Sequence, residues 1–263
     1  MLPDELAIID DSRGMQSLLR TLGPESPAVR ATDALLRCSE PIVVCTGFSV
    51  DGHPETDGPA GSIVLARALR ALGKDARLVS WTEAVDAWQP LVPDLPCQTI
   101  PRGRPPGPLC GSAVTVEVCG RIDDGSYRNM RGRDVRPESP WFEDAIGTKA
   151  LVSIGDGGNE FGMKSAPEEW FDNRAIARPV STCDVLVVGQ VSNWAALAVV
   201  AALSRARGVD VMPFPHEYQV LLEELVARGA LDGVRRAATP TEDGHPIGSG
   251  PEVVRRLRQW LGG

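Results

Sequence analysis

From Ile154 to Met163 the chain reads Ile-Gly-Asp-Gly-Gly-Asn-Glu-Phe-Gly-Met. Two carboxylates, Asp156 and Glu160, and one amide, Asn159, stand among four glycines. Glycine lets a backbone approach a ligand closely and adopt positive φ. Carboxylate and amide oxygens suit a hard cation or a substrate ammonium group. The same residues could also serve only to reverse the chain. The segment Gly47-Phe-Ser-Val-Asp-Gly-His-Pro-Glu-Thr-Asp-Gly-Pro-Ala-Gly61 repeats the design with Glu55 and Asp57. Gly189-Gln-Val-Ser-Asn-Trp194 adds Ser192 and Asn193, and Glu117 stands near the end of Ser112-Ala-Val-Thr-Val-Glu-Val118.

Each acceptor-rich loop follows a short apolar run, and two of them precede a helical pattern. Pro41–Thr46 leads into the Glu55 loop and then into a helix from Ser62 to Leu72 that stops at Gly73, a usual C-cap residue. Ala150–Ile154 leads into the Asp156 loop, and Asp184–Val188 leads through Ser192 into an apolar helix from Ala195 to Leu203. Strand, polar loop and helix in repetition predict an α/β fold, a Rossmann-like three-layer sandwich. Its sheet would be mostly parallel, with helices on both faces. Ligands gather at the carboxyl ends of such strands, so the loops should converge on one edge.

Residues 1–40 form an N-terminal helical segment and 41–263 the α/β domain. The segment's helices, one ending at Gly23-Pro24 and one over Ala28–Arg37, would pack on the first strand or form an interface in a homo-oligomer. Further strands are expected at Arg77–Trp81 and Asp210–Met212, and amphipathic helices at 216–229 and 251–261. Residues 90–110 hold seven prolines and predict an irregular excursion. A net charge of −8 and a pI near 5.0 argue against a nucleic-acid surface. No apolar run is long enough to span a membrane, and Asp4, Glu5, Asp10 and Asp11 are wrong for a targeting peptide. A cytoplasmic protein is expected. The six cysteines form no C-x-x-C pair, which predicts reduced thiols.

The chain resembles the D-glutamate cyclase family in five segments that occur in the right order. These are Thr46-Gly-Phe with Pro54-Glu-Thr-Asp-Gly-Pro59, Glu117 with Arg121 and Tyr127–Asp134, Gly155–Met163, Val191-Ser-Asn-Trp194, and Asp232-Gly-Val234 with Asp243-Gly244. Phe161 and Lys164 depart from the pattern, and Lys164 could alter anion binding beside the central loop. The resemblance implies a hydro-lyase that dehydrates D-glutamate to 5-oxo-D-proline. A carboxylate is a poor electrophile, so a Lewis acid or cationic donors must act on it. On that reading Asp156 and Glu160, with Asp57, hold Mn²⁺ or Mg²⁺. Glu117 is the first choice for the general base and Glu55 the second. Arg121, which joins them in the catalytic set, and Arg131 form forks for the two substrate carboxylates. Asn129, Asn159, Ser192 and Asn193 orient the substrate.

Plainer readings stand beside these. Glu117 and Arg121 could be a structural ion pair, Asp57 could merely precede a helix, and Ser192-Asn193 could be an N-cap. Trp194 reads best as packing, and Tyr127–Gly132 could be a solvated basic loop. The rival functions are an enzyme for another acidic amino acid or a lactam, and a non-catalytic module that binds an acidic metabolite.

Overall fold

Strands such as Ile42-Val-Val-Cys-Thr46 are continuous apolar runs because both faces of the sheet are covered, as in parallel sheets generally. The computed structural model describes residues 1–10, 12–172 and 174–262, so Asp11 lies outside the described residues. Three helices come first: α1 (Pro3–Leu6), α2 (Met15–Thr21) and α3 (Pro27–Arg37). There follow β1 (Ile42–Thr46), the small hairpin of β2 (Ser49–Val50) and β3 (His53–Pro54), α4 (Pro59–Ala71), β4 (Ala76–Trp81), α5 (Thr82–Trp88) and β5 (Cys97–Ile100). The second half carries β6 (Ser112–Val116), α6 (Phe142–Ile146), β7 (Lys149–Gly155), α7 (Glu168–Phe171) and β8 (Thr182–Val188). It ends with α8 (Ser192–Arg207), α9 (Pro215–Ala227) and α10 (Ser249–Gly262).

The main sheet has the order β5-β4-β1-β6-β7-β8, and every pairing in it is parallel. Counted along the chain, its strands lie third, second, first, fourth, fifth, sixth, so the winding reverses between β1 and β6. That crevice is where doubly wound sheets bind ligands. Side chains alternate across the sheet. Ile42, Val44, Val114, Val116, Val152 and Ile154 pack with α3, α4 and α8, and α8 is buried along most of its length. Val43, Cys45, Val79 and Ala113 face Phe142 of α6 and Phe161 on the other side. Leu186 and Val188 meet Met15, Leu18 and Leu19 of α2. The three-layer α/β fold is therefore present, with long helices on one face and short helices and loops on the other.

The helices before β1 share this core: Ala28, Ala31 and Leu35 of α3 belong to the same cluster as the sheet and α8. Two expectations need correction. Asp210–Met212 is not a strand, because its donors are satisfied locally. Val211 N–H donates to Ser204 Oγ and Met212 N–H to Asp210 Oδ1. The proline-rich stretch 90–110 contains a strand, β5, which forms the edge of the sheet beyond β4. An edge strand needs only half a ladder, so flanking prolines do not forbid it. The cysteines are free, with Cys110 exposed and Cys45 and Cys119 buried. Among the described residues no helix is long and apolar enough to cross a membrane.

Candidate active site

The carboxyl ends of β1, β6 and β7 open into a cavity of about 210 Å³. Its floor is made by Glu55, Glu117, Asp156, Asn159 and Glu160, with Asp243 from the loop before α10. Glu117 follows β6 directly and has φ +48, a left-handed conformation that costs energy for a residue with a Cβ. Its backbone ties the strand ends together, since its N–H donates to the Ile154 carbonyl and its carbonyl accepts the Gly47 N–H. Ser192 Oγ donates to Glu117 Oε2 at 2.6 Å. A side chain at Gly58 would meet Thr46 Oγ1 at 2.6 Å and Glu117 Cβ at 2.8 Å, so only glycine fits there.

The Asp156 loop is wound around Glu160. Gly157 and Gly158 donate their N–H groups to Glu160 Oε1 and Oε2 at 2.8 and 2.7 Å. A Cβ on Gly157 would lie 2.7 Å from Glu160 Oε1 and 3.2 Å from Asn159 Oδ1, so the two oxygens flank one point. Asn159 Nδ2 donates to the Arg128 carbonyl at 2.9 Å. Its Oδ1 is buried and has no hydrogen-bond partner among the described residues.

Asp57, Ser192 and Asn193 lie behind the cavity rather than on its wall. Asp57 accepts the N–H groups of Ser192 and Asn193 at 2.9 and 2.7 Å, so it caps α8 from a different loop. Asn193 Oδ1 accepts from the Gly58 and Gly61 N–H groups, and its Nδ2 donates to the Thr56 carbonyl and Glu242. These residues brace α4 against α8, and Ser192 reaches the site only through Glu117. Trp194 is fully buried and donates to Glu242, as a packing residue would.

Arg121 does not line the cavity. Its guanidinium pairs with Asp144 at 2.7 Å, and its backbone N–H donates to Glu143. Among the described residues Arg121 makes no ion pair with Glu117. Tyr127 is buried and donates to Glu143, so the 127–132 loop is anchored rather than freely solvated. Asn129 and Arg131 do line the cavity. Asn129 Oδ1 accepts the N–H groups of Arg131 and Arg133, which shapes the turn that presents them. Lys164 is exposed and away from the cavity.

Three arginines and one aspartate form the rim. Asp51 accepts from both Arg133 and Arg236. Arg131 has no carboxylate partner among the described residues; its Nη2 reaches the Val234 carbonyl at 3.4 Å. In the floor the cation is Arg13, whose Nη1 donates to Asp243 Oδ2 at 2.6 Å and lies 2.8 Å from Asp156 Oδ2. Burial pushes the Glu55, Asp57, Glu117, Asp156 and Glu160 carboxyls above their usual range. Neighbouring carboxylates add to it: Asp243 for Glu55 and Asp57, and Glu160 for Glu117. Asp156 and Asp243 in turn push the Arg13 guanidinium up.

A family model described as D-glutamate cyclase-like, C-terminal, matches residues 5–258. The chain belongs to that family. It is 28% identical over 204 residues to the mitochondrial D-glutamate cyclase of Homo sapiens, an alignment that covers 62% of this chain. The chain spans 32% of that relative's length. A solved exopolyphosphatase-related protein from Bacteroides fragilis aligns with 90% of this chain and 56% of its own, with a TM-score of 0.42 and 10% identity. A likeness at that level says nothing about function.

Arg13, Asp243, Glu242 and the rim arginines Arg133 and Arg236 were not singled out as functional in the sequence. Asp243 had a signal, the Asp-Gly pair shared with the family. Arg13 had none, since it precedes the sheet and stands alone in an acidic stretch.

Proposed function

We propose that this chain dehydrates D-glutamate intramolecularly to 5-oxo-D-proline and water. Beside family membership, the reading is carried by one cavity that sets a carboxylate floor under an arginine rim, at the point where the sheet reverses its winding. A substrate with one ammonium and two carboxylates needs both signs of charge. In the reaction the nitrogen bonds to the γ-carbonyl carbon and gives up two protons. One γ-carboxylate oxygen takes two protons and leaves as water.

Glu55 is the best-placed general base. It lines the cavity, and among the described residues no hydrogen bond ends on its carboxylate. Glu117 is instead held by Ser192 and grouped with Asp156 and Glu160. We therefore exchange the two roles and assign Glu117 to charge binding. Arg131, whose guanidinium has no carboxylate partner among the described residues, takes a substrate carboxylate. Asn159 Oδ1, which has no donor among the described residues, is an acceptor for the ammonium group or a cation.

Two overlapping groups could hold a divalent ion: Glu117, Asp156 and Glu160, or Asp57, Asp156 and Asp243. In each, the ligand atoms lie within 4.8 Å of one another. Both offer only oxygen, which fits Mg²⁺ or Mn²⁺, and neither includes a histidine or cysteine. When bound, such an ion supplies Lewis-acid polarisation of the γ-carboxylate.

Gly233 tests the Glu55 assignment. A Cβ there would fall 1.6 Å from Glu55 Oε1, so the carboxyl must swing away. Gly233→Ala is expected to lower kcat by about 100-fold, through misplacement of the reacting group. Its melting temperature should change little, since Gly233 is not among the positive-φ glycines. Unchanged kcat in a folded variant would remove Glu55 from the base role. A thermal-shift screen tests the substrate class. D-glutamate should raise the melting temperature, and nucleotides should not.

A further inference from the structure

We infer that Arg13 is a built-in cation which fills one of the two overlapping acidic groups, so that the centre takes a single divalent ion, at Glu117, Asp156 and Glu160. The inference rests on the cation reading proposed for this site and sharpens it, because it says which group is open and what closes the other.

The two groups share Asp156, and their remaining members differ in how their charge is met. In the group of Asp57, Asp156 and Asp243, the Arg13 guanidinium donates to Asp243 and sits against Asp156. Asp57 is spent on the first N–H groups of α8, whose positive dipole end faces it. Two of the three carboxylates therefore have a cation and the third a helix terminus. In the other group, among the described residues, no lysine, arginine or histidine pairs with Glu117 or Glu160. Their partners are neutral: one hydroxyl for Glu117 and two backbone N–H groups for Glu160.

A separate observation points to a cation on that side. Asn159 is 2% exposed, lines the cavity, and leaves its Oδ1 without a donor among the described residues. That oxygen lies on the same side of Gly157 as Glu160 Oε1. Asp156 Oδ2 lies 2.8 Å from Arg13 Nη1 and has no other partner among the described residues, so a carboxylate oxygen with two lone pairs can still face an ion. Buried acceptors without donors are rare and call for an explanation such as an ion.

Arg13 is also held in place by several partners. Gln190 Nε2 donates to Asp10 Oδ1 at 2.7 Å and Ser12 Oγ at 2.8 Å, which fastens the segment to the loop between β8 and α8. Arg174 Nη1 donates to the Arg13 carbonyl at 3.0 Å. Gly14, with φ +74, then turns the chain into α2. The segment before β1 thus supplies a positioned charge to a site built otherwise from strand ends.

The test is a count of Mn²⁺ bound to the metal-stripped full chain. Free Mn²⁺ is read by electron paramagnetic resonance, and the stoichiometry is checked by native mass spectrometry. Wild type should bind one ion, Arg13→Lys one, and Arg13→Ala two. The metal-free Arg13→Ala protein should melt lower than wild type and regain that loss with excess Mn²⁺. Two ions in wild type, or one in a folded Arg13→Ala, would overturn the inference while leaving the cation reading intact. No ion in wild type would sink the cation reading itself. Should Arg13→Ala not fold, a second pair of variants decides. Asp243→Asn should keep one ion with Kd within about 3-fold, and Glu160→Gln should weaken binding by about 100-fold, because carboxylate count sets affinity in such sites. Loss of the ion in Asp243→Asn would place it in the group assigned to Arg13 and overturn the proposal.

Discussion

Glu55→Gln is expected to lower kcat by about 1,000-fold, within the range for loss of a general base, while substrate affinity stays within a few-fold of wild type. The amide keeps the size of the side chain and removes its capacity to take a proton from the substrate nitrogen. Glu55 accepts no hydrogen bond among the described residues, so the substitution leaves no donor stranded. Stability should therefore change little. Glu117→Gln should act differently: with one carboxylate fewer around it, cation affinity falls before catalysis at saturating cation does. Turnover measured against Mn²⁺ concentration separates the two. Near-normal kcat in Glu55→Gln together with loss of turnover at saturating Mn²⁺ in Glu117→Gln would return the base role to Glu117.

The second large effect concerns stability. Glu242 is buried and accepts from Asn193 Nδ2, Trp194 Nε1 and Tyr218 Oη at 2.8, 2.9 and 2.6 Å. Gly250 makes room for it, since a Cβ there would lie 2.2 Å from Glu242 Oε2. Glu242→Ala strands those groups in a buried space, at a cost of about 4 kcal/mol at pH 5. Burial pushes the Glu242 carboxyl up to about 7 from an unfolded value near 4.5. The folded state thus keeps this proton longer than the unfolded state. The resulting stability is fully present below about pH 4.5 and is lost as pH rises through about 7. A gap of that size corresponds to about 3 kcal/mol. The difference between wild type and Glu242→Ala, measured by urea unfolding, should shrink to about 1 kcal/mol at pH 8. A difference that widens with pH would contradict the account.

The strands and the site loops were legible for one reason. A parallel strand buried on both faces must be an apolar run, and a loop that meets a ligand at its end must turn sharply with little bulk. Ile42–Thr46, Val152–Gly155 and Val185–Val188, each followed by glycine and acceptors, show both signs. That is why Glu55, Glu117, Asp156, Asn159 and Glu160 could be chosen from the sequence and are found on one cavity. Asp57, Ser192 and Asn193 have the same chemistry but face each other, because an α8 terminus beside the β1 loop needs acceptors. Local pattern cannot distinguish an acceptor for a helix from an acceptor for a ligand. Arg121 stands off the cavity for a related reason: four residues past Glu117, a single turn of the chain decides whether a guanidinium points in or out. Arg13 was out of reach, since its pairing with Asp243 joins positions 230 residues apart.

Whether the chain cyclises D-glutamate is decided by a chirally resolved mass-spectrometric assay with D- and L-glutamate. It would use metal-stripped protein and the same protein with added Mn²⁺ or Mg²⁺. 5-Oxo-D-proline is expected from the D isomer alone, with the divalent ion required. Folded protein that makes no 5-oxoproline from D-glutamate with either ion would contradict it.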